Sequence, residues 1–159
     1  MRRLTWLAAA AASLAIFAGA SAAHADVSQA SNQVDGTIRV DTTTCSWVNA
    51  STSDNPPNPL TIDRSTVDLD CQGLASNVRL NNDPNVTFDD AAGTATVDLV
   101  SVTATVLGIS CTYEARNVTA TRVGTSRDYT ASGFEAELVS GGFLCPGDTT
   151  DTEAYVSFH

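Results

Sequence analysis

The chain has 159 residues, 18 of them acidic against 8 basic, a formal charge of −10 and no lysine. That balance repels a phosphate backbone and an anionic bilayer, which excludes nucleic acid as a partner and disfavours anionic membrane surfaces. His24 and His159 are the only histidines, so Ser–His–Asp and Cys–His catalysis lack their usual base and a zinc site lacks its usual ligands.

In chain order, Arg2 and Arg3 precede an alanine-rich apolar run, Leu4 to Ala20, and Ala23-His24-Ala25 forms an A-x-A site. This pattern predicts a secretory signal peptide over residues 1–25, cleaved after Ala25. A retained membrane helix would need a more strongly apolar run, so no membrane insertion is expected after cleavage. No cysteine follows the site, so no lipid anchor is expected either. Cleavage would leave one domain, Asp26 to His159, long enough for a real core. It removes two of the eight basic residues, which takes the formal charge from −10 to −12. The expected location is extracellular, where such acidity serves solubility.

Residues 26–35 are polar and read as a flexible lead-in to a single β-domain over 36–159. "GTIRVDTTTCSWV" (36–48) alternates as a strand does. "STSDNPPNP" (51–59) is a loop, because proline cannot donate to a central ladder. "LTIDRSTVDLDC" (60–71) offers two short apolar sets about a turn at Asp63–Ser65. "NNDPN" (81–85) is a turn, followed by strands on either side of Asp89–Gly93.

Thr94 to Tyr113 carries an unusual pattern. Ala95, Val97 and Leu99 are apolar at odd positions; Val100, Val102, Ala104 and Val106 are apolar at even ones. The parity flips back at Leu107. A one-residue slip exchanges the faces of a strand, so one long strand here requires bulges or a crossing between layers, with Gly108 a suitable corner. Strands at 117–123, 128–138 and 153–158 follow, and "FLCP" (143–146) returns towards the core. Eight to ten short strands predict an all-β fold in two packed layers.

Cys45, Cys71, Cys111 and Cys145 stand 26, 40 and 34 residues apart, without a metal-binding CxxC. In an oxidising compartment two disulfides are expected. Of three possible pairings, Cys45–Cys71 with Cys111–Cys145 is favoured, since sequence neighbours tend to be spatial neighbours in a meander. Cys111 shares the apolar parity of Ile109 and Tyr113, which suits a buried staple rather than a reactive thiolate.

Other candidates have plainer readings. Glu135 and Glu137 lie about 7 Å apart on one strand face, as a solvated face. Asp63/Asp68/Asp70 and Asp83/Asp89/Asp90 could supply calcium ligands but match no known loop; they read as polar turns. Asn49, Asn85 and Asn117 begin sequons that occur by chance in a threonine-rich chain. Trp47 reads as packing on a disulfide; Tyr113 and Tyr155 could serve the core or a ligand. No catalytic residue, metal or cofactor is implied.

"ISCTYEA", "FLCP" and "EAYVSF" resemble a pattern in small exported bacterial β-sandwich proteins of actinobacterial type, and more distantly in proteins called activators that associate with cell surfaces or matrix. "CSWVN" and "YVSFH" are similar to segments of the neocarzinostatin type, acidic secreted carriers of a small chromophore. These resemblances imply an immunoglobulin-like antiparallel β-sandwich. They imply a secreted, non-enzymatic protein at or outside the cell surface in interaction or matrix roles, with an extracellular partner. A small-molecule carrier is the alternative, and a carboxylate-dependent hydrolase a third. A carrier predicts a concave apolar pocket; a surface protein predicts a filled core.

Overall fold

The computed structural model describes residues 32–159. The expected signal peptide, its cleavage site and residues 26–31 of the lead-in lie outside the described residues. Eleven strands make up the fold: β1 (Gln33–Val40), β2 (Thr43–Ser51), β3 (Leu60–Thr61), β4 (Asp70–Gln72), β5 (Ala75–Leu80), β6 (Asn85–Asp89), β7 (Thr94–Val106), β8 (Ile109–Arg122), β9 (Asp128–Ser132), β10 (Glu137–Ser140) and β11 (Thr152–Phe158). Every pairing between them is antiparallel. The chain is thus all-β, as its threonine- and valine-rich alternation predicts.

The hydrogen-bonded order is β3-β6-β7-β8-β9-β11-β1-β2-β4, with β5 also on β7 and β10 on β8. This sheet folds back on itself. Thr52, just past β2, bridges Ile62, just past β3. The Ser53 amide donates to the Thr61 carbonyl and the Asp63 amide to that of Ser51, each at 2.9 Å. The expected layers are therefore the two sides of one sheet, joined where β2 meets β3. Eight strands enclose a single core, and each contributes to it: Val34, Ala50, Leu60, Val86, Ala95, Ala120, Tyr129 and Phe158 come from β1, β2, β3, β6, β7, β8, β9 and β11 in turn. Wrapping of this kind leaves few unpaired edges to aggregate.

Strand β1 begins at Gln33, inside the segment read as lead-in. The cause is Val34, which is fully buried and pairs with Phe158 on one side and Ala50 on the other. A bulge in β2 follows, since Val34 faces Ala50 while Gly36 faces Trp47. Asn49 takes a left-handed conformation (φ 56°) there, and its amide bonds the Asp35 carboxylate at 2.6 Å. Trp47 lies over Gly36; a Cβ at that position would stand 2.1 Å from its ring. Trp47 thus packs on glycine and the main core cluster.

Both expected disulfides are present. Cys45 and Cys71 face each other across β2 and β4. Cys111–Cys145 ties β8 to the loop after β10. Residues 94–113 are not one strand. They form most of a long hairpin, β7–β8, turning at Leu107 and Gly108, both at positive φ. Its register runs without a shift from Thr94–Thr121 to Val106–Ile109, skipping only the Asp98–Asn117 position. No residue is inserted, so the parity change at Leu99–Val100 is no bulge. It records a change of buried face instead. Near the open end, Ala95 and Val97 face Ala120 and Val118 in the core. Near the tip the opposite face carries Ala104, Val106 and Cys111, all buried. The first face is then polar: Asn81 donates to Ser101 and Thr103, each at 3.1 Å.

The expected strand over 128–138 is two. β9 ends at Ser132, and Gly133 (φ 67°) turns the chain away from β11. β10 then pairs with the tip half of β8. Residues 60–71 divide likewise into β3 and β4, separated by a 3-10 turn over Arg64–Thr66. β5, which no clear alternation announces, fills the edge beside β7.

Candidate functional site

Along each outer strand the core-facing residues alternate with hydroxyl-bearing ones. The ladder register brings six of these into one row. Ser46 pairs with Thr37, Thr37 with Tyr155, Tyr155 with Thr130, Thr130 with Thr121 and Thr121 with Thr94. The row crosses β2, β1, β11, β9, β8 and β7 at about 4.8 Å per strand. A parallel row runs Thr44, Arg39, Glu153, Ser132. Short threonines between longer side chains leave a groove of about 590 Å³ on this face, whose lining includes Thr37, Arg39, Thr121, Thr130, Glu153 and Tyr155.

The charges in the groove are already matched. Arg39 Nε bonds Glu153 at 3.2 Å, and its terminal nitrogen bonds Asp151 at 2.9 Å. These carboxylates raise the guanidinium pKa further, so it stays protonated. Tyr155 is 42 % exposed. The Ser126 hydroxyl accepts from the Asp128 amide at 3.2 Å, and the Ser157 and Tyr155 hydroxyls lie near the Asp128 carboxylate. Chiefly through Ser157, these hydroxyls hold Asp128 below the usual carboxylate range.

The residues singled out from sequence are scattered. Glu135 precedes β10 and Glu137 begins it, both exposed beside the buried Ala136. Asp63 caps the 3-10 turn, accepting from the Ser65 amide at 2.9 Å. Asp89 accepts from the Ala92 amide, and Asp90 binds Arg122 and Arg127. Among the described residues no group of three or more His, Cys, Asp or Glu converges as a metal site. Asn49, Asn85 and Asn117 are exposed. Tyr113 is half-buried, and its hydroxyl donates to the Pro146 carbonyl at 2.9 Å; burial raises its pKa. His159 lies 3.3 Å from the Asp35 carboxylate. Its backbone continues the β1 ladder to Gln33, so the terminus is held rather than frayed.

Two features are invisible in the sequence. One is the hydroxyl row, because its strands are remote in the chain. The other is an apolar end at the β7–β8 tip, where Leu74, Leu107 (75 % exposed) and Phe143 (94 % exposed) gather beyond the paired Ala75, Val106 and Ile109. Gly142 passes beside the Ile109 side chain, where a Cβ would stand 3.5 Å from it.

No family model matches the chain, and neither a curated protein nor a solved structure matches it, so its own geometry carries the functional reading.

Proposed function

We propose that this is an exported, non-enzymatic binding protein that works at or outside the cell surface, in an interaction or matrix role, through its hydroxyl-lined groove. The observation that carries this reading is the row of six hydroxyls held in register across six strands. Such an array offers a continuous donor–acceptor surface. Two disulfides suit an oxidising compartment.

The carboxylates in and beside the groove, Glu153 and Asp128, argue for binding rather than hydrolysis. Glu153 is engaged by Arg39. Asp128 is held below the usual carboxylate range, whereas a general acid needs its pKa raised. The groove is hydroxyl-lined and the interior filled by side chains, which favours a surface-binding protein over a carrier of an apolar chromophore.

The test is retention on the producing cells and their insoluble envelope material. The wild-type protein should sediment with this material, and Tyr155→Ala should lower retention at least about tenfold, as loss of an aromatic anchor does. Wild-type protein left wholly in the supernatant, or equal retention of the variant, would sink the proposal.

A further inference from the structure

The chemistry of the groove narrows its ligand, and this step rests on the binding role proposed above. We infer that the groove takes a neutral saccharide, with a sugar ring on Tyr155 and its hydroxyls along the Thr37–Tyr155–Thr130–Thr121 row.

Three properties lead to that class. First, a hydroxyl both donates and accepts. A row of them complements a ligand that also carries donor–acceptor groups at close intervals, as a polyhydroxylated ring does. Second, the groove offers little free charge. Among the described residues, Arg39 is the only cation in its lining and is taken by Glu153 and Asp151; Glu153 is the only carboxylate there and is taken by Arg39. A phosphate or sulfate would need an unshared cation. A basic peptide would need unshared carboxylates. Because Arg39 is shared by two carboxylates, the groove has no surplus cation and favours a neutral ligand over an anion. Third, a sugar ring has an apolar face of C–H groups as well as a polar rim. Tyr155 supplies an exposed aromatic surface for that face. The groove volume of about 590 Å³ falls in the range of small-ligand sites, about 300–1,000 Å³, and its open form admits a chain rather than a sealed monomer.

A peptide strand is the competing occupant of a β-protein surface, but it binds at a sheet edge through main-chain bonds. Thr37, Arg39, Glu153 and Tyr155 lie on β1 and β11, which are paired on both sides along these residues, while β8 and β9 pair only at Thr121–Thr130 and Arg122–Tyr129. Along β1 and β11 the groove therefore offers side chains, not main-chain groups.

The test uses the full chain in oxidised form on immobilised neutral polymers of hexose, pentose and N-acetylhexosamine, beside sulfated and uronic polymers and polylysine. Neutral polymers should retain the protein, with little change when salt is raised about tenfold, because no net charge is matched across the contact. Tyr155→Ala should weaken retention at least about tenfold. Thr121→Val, which keeps the β-branched shape and removes one hydroxyl, should weaken it about two- to tenfold. Tyr155→Phe keeps the ring and should stay within about threefold. Each variant is checked by melting; these side chains face outward, so wild-type melts are expected.

Retention on none of the neutral polymers, a preference for charged polymers, or unchanged retention of Tyr155→Ala overturns the saccharide assignment. If that occurs while cells still retain wild-type protein and reject Tyr155→Ala, the groove remains the working surface and only the ligand class fails. If cells also fail to discriminate the two, both readings fail.

Discussion

Replacing Cys111 by serine should destabilise the protein by more than replacing Cys145, and the double replacement should cost no more than Cys111→Ser alone. The bond between them spans a sequence separation of 34 residues, for which loss of the cross-link costs about 3–4 kcal/mol in the chain-entropy model. Both single variants lose that bond. They differ in what is left behind. Cys111 is fully buried on the inner face of the β7–β8 tip, whereas Cys145 is half-buried in a loop. A serine at 111 therefore places a hydroxyl in an apolar site, which adds about 1–3 kcal/mol if it finds no partner. A domain of this size holds only about 5–15 kcal/mol, so Cys111→Ser should sit near the edge of folding. Denaturant melts of the three variants decide the matter. A double variant that loses the sum of the two single losses would mean the sulfurs are not bonded to each other.

Tyr129→Ala should be the most damaging single change in the main core. Tyr129 is 1 % exposed. Its ring lies 5.6 Å from that of Phe88 and 6.0 Å from that of Phe158, and these two are 5.4 Å apart. The three rings join β6, β9 and β11, which are not neighbours in the chain, so the triad fastens opposite parts of the wrapped sheet. Truncating a large buried aromatic costs about 3–5 kcal/mol, from lost transfer energy and the cavity left behind. Tyr129→Phe should behave in the opposite way. The Tyr129 hydroxyl is buried with no hydrogen-bond partner among the described residues, so removing it relieves a desolvation cost and leaves the rings in place. Its midpoint in urea should equal or exceed that of the wild type. A Tyr129→Phe variant less stable by 1 kcal/mol or more would show that the hydroxyl is bonded, for example to a buried water.

The cysteine pairing is legible in the sequence because both bonds join neighbouring segments of the chain that also lie side by side in the fold. The strand content was legible for a similar reason: each core strand carries its own alternation. The errors arise where one local signal serves two physical causes. The parity change at Leu99–Val100 looks like a bulge, yet the backbone register is continuous. What changes is which face finds apolar partners. The turn at Leu107–Gly108 was masked because two-residue hairpins favour asparagine or aspartate before glycine, and a leucine at φ 50° gives no such sign. Val34 was lost among polar neighbours, although one apolar residue suffices to hold a strand when the opposite ladder supplies Phe158 and Ala50. The groove shows a different limit. Thr119 and Thr121, or Thr37 and Arg39, read as outward positions on their own strands. That β9 and β11 lie between them is a matter of sheet order, which pairs segments remote in the chain.

The groove and the apolar tip are separate surfaces of one protein, and side-chain footprinting distinguishes them. Hydroxyl-radical oxidation of the wild-type protein, free and bound to envelope material from its own cells, reads each exposed ring in place. Tyr155 in the groove and Phe143 at the tip are both accessible in the free protein. Binding through the hydroxyl row predicts that Tyr155 becomes protected while Phe143 oxidises at its free rate. Protection of Phe143 with Tyr155 unchanged would contradict that account and move the working surface to the apolar end.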